Sequence, residues 1–174
     1  IYQIRSRLEF APNRTYQFLV RAGRNLAACV HHVHEAGLVI GDLNESNVLI
    51  SRDAMAKVID VDSFQLIDGD KLYPCKVGKG ELIAPELQGH SLENLQRSTN
   101  HDRFALAVLM FQVLVFGRHP FAGRPKTEQE MHLEESISKG WYPYTKRRDV
   151  PIAPPPHLTL DFLPPNIQEM FEEA

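Results

Sequence analysis

The stretch Ile40-Gly41-Asp42-Leu43-Asn44-Glu45-Ser46-Asn47, followed thirteen residues later by Asp60-Val61-Asp62, decides how this chain is read. An aspartate and an asparagine five positions apart lie on a predicted loop between a long helical pattern and a short strand. A second acidic pair then closes a predicted two-strand hairpin. Phosphoryl transfer to a hydroxyl needs such a set: one carboxylate to orient and accept from the nucleophile, and an amide oxygen plus a carboxylate to hold Mg2+ on phosphates.

Upstream of the loop, Leu19, Ala22, Leu26, Cys29 and Val33 recur at three and four residues, which predicts an amphipathic helix over 15–36 with Gly37 as its left-handed stop. His31, His32 and His34 near its end lack metal-ligand spacing and read as solvated or helix-capping residues at the negative end of the dipole. Ala11-Pro12-Asn13 is a turn signal ahead of that helix. Leu38-Val39-Ile40 is a short extended run into the loop. After the loop, Val48-Leu49-Ile50 and Ala56-Lys57-Val58-Ile59 read as a hairpin, 66–72 as a small turn and 73–83 as a loop.

Pro85 suits the first turn of a short helix opened by Ala84-Pro85-Glu86-Leu87. Residues 88–100 form a polar loop. Asp102 then heads an apolar run, Phe104 to Phe116, ended by Gly117; apolar on every side, it predicts a helix in the middle of a helical core. A surface helix is expected over 128–139. The proline-rich 142–165 reads as a packed linker rather than a polyproline ligand, and a last helix is expected over 166–174.

The composition narrows the classes. The 174 residues suit one domain or one large lobe, with 43% hydrophobic and 24% charged residues, as in soluble globular proteins. A net charge of -3 gives no electrostatic case for nucleic acid or an anionic membrane. The Phe104–Phe116 run is too short to span a bilayer. Cys29 and Cys75 cannot make a disulfide scaffold and fit a reducing cytosol, with Cys29 as a core residue. The amino terminus has no secretory pattern and begins mid-pattern, as a piece of something longer would.

The ordered blocks Ile40-Gly41-Asp42-x-x-x-x-Asn47, Asp60-Val61-Asp62, Ala84-Pro85-Glu86, and Asp102 before the apolar helix resemble the protein kinases, over nearly the whole chain. The wording Ile-Gly-Asp and Asp-Val-Asp is most similar to a divergent bacterial group of Ser/Thr protein kinase-like proteins. The resemblance implies a mainly α (α+β) fold: a kinase-like carboxy-terminal lobe over 1–174, a helical bundle whose small β-hairpin carries the catalytic and metal-binding loops. It implies ATP and Mg2+ or Mn2+ as cofactors and an unidentified protein as substrate. Asp42 would orient the attacking hydroxyl and take its proton, while Asn47 and Asp60 would ligate the metal on the phosphates. Asp102 would accept backbone N–H bonds from the catalytic loop, and Glu86 would pair with an arginine near the end of the lobe.

The departures are informative. Gly41 replaces the arginine that reads phosphorylation of the activation segment, so that switch is not expected. Asn44 stands at the catalytic position where such kinases place a lysine, which removes a positive charge from the transfer site. Asp62, beside Asp60, either helps hold a second cation or is a solvated hairpin residue. Lys79 takes the place of a substrate-binding threonine, and Gly78-Lys79-Gly80 is not a phosphate loop. No Gly-rich nucleotide loop and no Val-Ala-Ile-Lys strand occurs, so the amino-terminal ATP-covering lobe is missing and the chain alone is expected to be inactive or nearly so. A pseudokinase-like interaction module and a small-molecule phosphotransferase of the aminoglycoside or choline type are the alternatives.

Overall fold

The computed structural model describes residue 9, residues 15–128 and residues 130–174. The turn expected at Ala11-Pro12-Asn13 lies outside the described residues. Helix α1 runs Tyr16–Glu35, with Thr15 at its amino-terminal cap and Ala36 at its carboxy-terminal cap. Gly37 follows at φ 77°, and the Gly37 and Leu38 amides close the end on the His34 and Val33 carbonyls. The buried stripe is Leu19, Ala22, Gly23, Leu26 and Val30. Cys29, expected in the core, is only partly buried, because Val30 takes the inward position one residue on.

Two antiparallel hairpins follow. β1 (Val48–Ile50) pairs with β2 (Ala56–Val58), Val48 opposite Val58. Asn25 of α1 donates to the Ala54 carbonyl at 2.8 Å and ties the hairpin loop to the helix. The segment expected to be a small turn is a second hairpin, β3 (Leu66–Asp68) with β4 (Lys71–Tyr73), joined by Gly69-Asp70 with Gly69 at φ 57°. A mutual Val39–Gln65 bridge joins the approach to the catalytic-type loop with the residue before β3, at 3.1 and 2.8 Å.

Helix α2 spans Thr99–Leu114, five residues earlier at its start than the apolar run suggests. A capping box causes the early start: Ser98 caps the His101 amide while His101 Nδ1 accepts from the Ser98 amide at 2.9 Å. Val115 caps the end, and Phe116 and Gly117 turn left-handed. α1 packs against α2, with Gly23 facing Met110. One core gathers Leu26, Val30, Ile40, Leu43, Phe104, Val108 and Ile137 under the loop. A second gathers Phe18, Leu19, Phe111, Leu114, Tyr142 and Leu163. Phe111 is wholly buried, its ring edge-on to Phe171 at 5.0 Å and to Tyr142 at 6.2 Å.

The rest closes the base. The Ala-Pro-Glu block forms a single 3-10 turn, Pro85–Leu87. The helix expected over 128–139 is shorter, α3 at Leu133–Ser138, capped at His132. The proline-rich segment holds an unforeseen strand, β6 (Ile152–Ala153), paired with β5 (Arg124–Pro125). Pro154 and Pro155 are partly buried, while Pro156 is exposed. Helix α4, Pro165–Glu173, begins with proline at its first turn. Among the described residues no helix is long and apolar enough to cross a membrane.

Candidate active site

The loop between α1 and β1 is held from below by a buried carboxylate. Asp102, 1% exposed in the first turns of α2, accepts the Ile40 amide on Oδ2 and the Gly41 amide on Oδ1, each at 2.8 Å. The expected bonds from Asp102 to the loop backbone are therefore present. His34 Nε2 lies 2.8 Å from the same Oδ2, and its side chain is only 10% exposed. His31 and His32 are exposed beside Glu35, as expected of solvated residues. His34 departs from that reading: it is the third donor to Asp102.

Ile40 and Leu43 anchor the loop in the core at 1% exposure each. That leaves Asp42, between them in sequence, half-exposed. Asn47 donates through Nδ2 to the Asp42 carbonyl at 3.0 Å and lies 3.4 Å from its Oδ2. Its amide oxygen takes no hydrogen bond from the described residues. The Ile59 amide donates to the Asn47 carbonyl at 2.9 Å, which brings the end of β2, and so Asp60, alongside the loop. Asp60 adopts a left-handed conformation, φ 65° and ψ 44°, ahead of the 3-10 turn Val61–Ser63; Ser63 Oγ donates to its carbonyl at 2.9 Å.

The charges explain what such a site could hold. Asp62 first, then desolvation, a hydrogen bond with Asp62 and the Asp42 charge all push the Asp60 carboxyl above its usual range. Carboxylates that repel one another in this way favour a divalent cation between them. Among the described residues no three His, Cys, Asp or Glu side chains form a metal cluster by themselves. An ion here would draw further ligands from Asn47 and phosphate oxygens, as Mg2+ commonly does.

Asn44 sits differently. It is 3% exposed; its Nδ2 donates to the Asp42 carbonyl at 3.2 Å and its Oδ1 accepts the Ser46 amide at 2.8 Å. Its side chain thus shapes the loop between the aspartate and the asparagine. Lys79 pairs with Glu45 and lies 3.2 Å from Ser46 Oγ, so a cation from the following segment rests on the loop. Glu86 lies 3.2 Å from His101 Nε2, and among the described residues no arginine pairs with it. Arg97, from a polar run, and Cys75, from a loop, neither of them a site candidate by sequence, are buried against Gly41. Only their placement reveals them.

A helical lobe whose loop aspartate and asparagine are strapped by a buried aspartate on the central helix, with an acidic turn beside them, is the arrangement the kinase resemblance implies. Residues 8–162 match the protein kinase domain family. The chain is 37% identical over 180 residues to the protein kinase YegI of Escherichia coli K12 and to that of E. coli O157:H7, covering all of this chain and 28% of theirs. Human ribosomal protein S6 kinase alpha-2 is 32% identical over 107 residues, covering 59% of this chain and 14% of its own. The chain belongs to the protein kinase family. It spans 28% of the length of the bacterial relatives.

Proposed function

We propose that this chain is the metal- and acceptor-holding lobe of a cytoplasmic, bacterial-type protein kinase that transfers the γ-phosphoryl group of ATP to a protein Ser or Thr hydroxyl. The observation that carries the reading is the convergence of Asp42, Asn47 and Asp60, with Asn47 hydrogen-bonded to Asp42 and backbone-bonded to the residue before Asp60. Asp42 orients the acceptor hydroxyl and takes its proton as the oxygen bonds to phosphorus and the bond to ADP breaks. The Asn47 amide oxygen and the Asp60 carboxylate hold Mg2+ or Mn2+, with Asp62 as a further ligand. The metal supplies charge neutralisation on the phosphates. Asn44 acts on the loop's shape, since both ends of its amide are engaged there.

ATP also needs a covering lobe. Leu49 and Val61, 52% and 66% exposed on the hairpin and the acidic turn, are apolar side chains such a lobe would bury. The chain alone is therefore inactive in this reading, and its two free thiols suit a reducing compartment. The alternative of an interaction module is favoured by two observations: the Asn44 amide is spent inside the loop, and Lys79 is paired with Glu45. The relatives named protein kinases weigh against a small-molecule phosphotransferase.

The test uses the complete polypeptide with labelled ATP and Mg2+ or Mn2+, scoring transfer to itself and to a generic protein. Transfer that disappears in Asp42→Asn and in Asp60→Asn is the expected result. No transfer, with ATP binding indifferent to Asp60→Asn, would sink the kinase reading and leave the interaction module.

A further inference from the structure

Gly41 stands where a phosphate-reading arginine is expected, and the structure shows what fills that space. At φ 73°, Gly41 faces Cys75 so closely that a Cβ would lie 2.5 Å from the Cys75 Cβ and 2.7 Å from its Sγ. Cys75 is 1% exposed, and its thiol donates to the Val77 carbonyl at 3.4 Å. The chain around Cys75 therefore rests directly on the loop backbone. Behind it lies Arg97, 4% exposed. Its Nη1 donates to the Gly41 carbonyl and its Nη2 to the Val77 carbonyl at 2.6 Å, one guanidinium bridging loop and segment. Gly78 completes the fit, since a Cβ there would lie 3.3 Å from Nη2.

Arg97 is itself doubly fixed. Its amide donates to Gln65 Oε1 and its carbonyl accepts from Gln65 Nε2, each at 2.7 Å, and Gln65 is bridged to Val39 just before the loop. Among the described residues Arg97 makes no ion pair; its partners are neutral carbonyls. A charge this buried is retained at a desolvation cost, which points to positioning rather than stability as its use. A second observation agrees. Between Asp60 and Glu86 the sequence holds only two hydroxyl side chains, Ser63 and Tyr73. Ser63 Oγ is bonded to the Asp60 carbonyl, and Tyr73 lies in β4 with Lys71 over its ring at 4.5 Å.

We propose that Arg97 is a positioning residue that clamps the segment Cys75–Gly78 onto the catalytic loop, so that the substrate-facing conformation is held without a phosphorylated side chain. The proposal rests on the phosphotransfer reading above for its consequence, but not for its geometry. In the complete polypeptide, Arg97→Met should lower hydrogen-exchange protection of amides across residues 75–83 at least tenfold while those of α2 beyond Phe104 stay protected. Arg97→Lys, which keeps a donor, should fall between. Phosphatase treatment of the wild type should leave its transfer rate unchanged, and Arg97→Met should raise KM for the protein substrate with KM for ATP held. Exchange unchanged in Arg97→Met, or transfer lost on phosphatase treatment, would overturn the clamp. The exchange measurement needs no catalysis, so its outcome is separable from failure of the kinase reading. If Arg97→Met does not fold, Gly78→Ala, which presses on the guanidinium from the segment side, replaces it with the same expectation.

Discussion

His34 and Asp102 meet at 2.8 Å across 68 positions of chain, the imidazole Nε2–H donating to the carboxylate that also receives the Ile40 and Gly41 amides. Two helices and the loop between α1 and β1 are thereby joined through one buried acid. Removing that acid leaves three donors without their acceptor in a largely buried site. Asp102→Ala is expected to lower unfolding stability by about 3–5 kcal/mol and Asp102→Asn by about 1–3 kcal/mol, in urea titrations. In a double-mutant cycle, His34→Ala should add little on top of Asp102→Ala; full additivity would show that the two act independently.

Asp60 is predicted to govern the acid limb of metal binding. Its carboxyl is pushed up chiefly by Asp62, so it becomes ionised only at higher pH than an ordinary aspartate, and cation binding should fail correspondingly early on acidification. Asp62→Asn removes the largest cause and should move the midpoint of Mn2+ binding to lower pH. A lower affinity in that variant at neutral pH as well would mark Asp62 as a ligand. An unmoved midpoint would remove Asp62 from the electrostatics of the site.

His119 makes a second pH prediction, this one for stability. It is 8% exposed, its Nε2–H donates to the Glu81 carbonyl at 2.8 Å and its Nδ1 accepts the Phe121 amide at 3.2 Å. Burial pushes its pKa below the ordinary 6.5, so the native state keeps it neutral where the unfolded chain takes a proton. Its contribution is present above about pH 6.5 and is lost as pH falls below that, at no more than about 1.4 kcal/mol per pH unit. His119→Gln should flatten the stability profile below pH 6.5; an unchanged slope would show that other groups set it.

The Lys79–Glu45 pair is half in solvent, with side chains 37% and 20% exposed. Its coupling energy in a double-mutant cycle with Lys79→Ala and Glu45→Ala should therefore be below about 1 kcal/mol and shrink in high salt. A coupling above about 2 kcal/mol would mean that the loop and the following segment are locked here rather than at Arg97.

Much of the lobe was legible because its signals are local. The stripe from Leu19 to Leu26, Gly37, the short runs Val48–Ile50 and Ala56–Val58 and the apolar run after Asp102 each declare an element within a few residues. The hairpin of Leu66–Asp68 with Lys71–Tyr73 was not, since Leu66 and Ile67 are both exposed and show no buried face. Neither was the role of His34 or Arg97. Their partners lie 68 and 56 positions away, and nothing in a histidine on a polar helix end or an arginine in a polar run records such a distance. The α3 helix begins only at Leu133, although the charge pattern that suggested it starts at Glu128.

Asp60 sits at φ 65°, and that single torsion makes position 60 subject to two independent filters. A residue there has to accept a left-handed backbone, which costs most side chains roughly 1–2 kcal/mol but spares glycine, asparagine and aspartate. It also has to carry an anionic oxygen, which only aspartate of those three does. Glutamate brings the charge and fails the backbone. Asparagine and glycine pass the backbone and lose the charge, and each is one nucleotide change from aspartate. With Asp60 as the metal ligand proposed above, a lineage of this lobe can lose its chemistry in one step while its fold records nothing, so an inactive descendant would keep the outline of its ancestor.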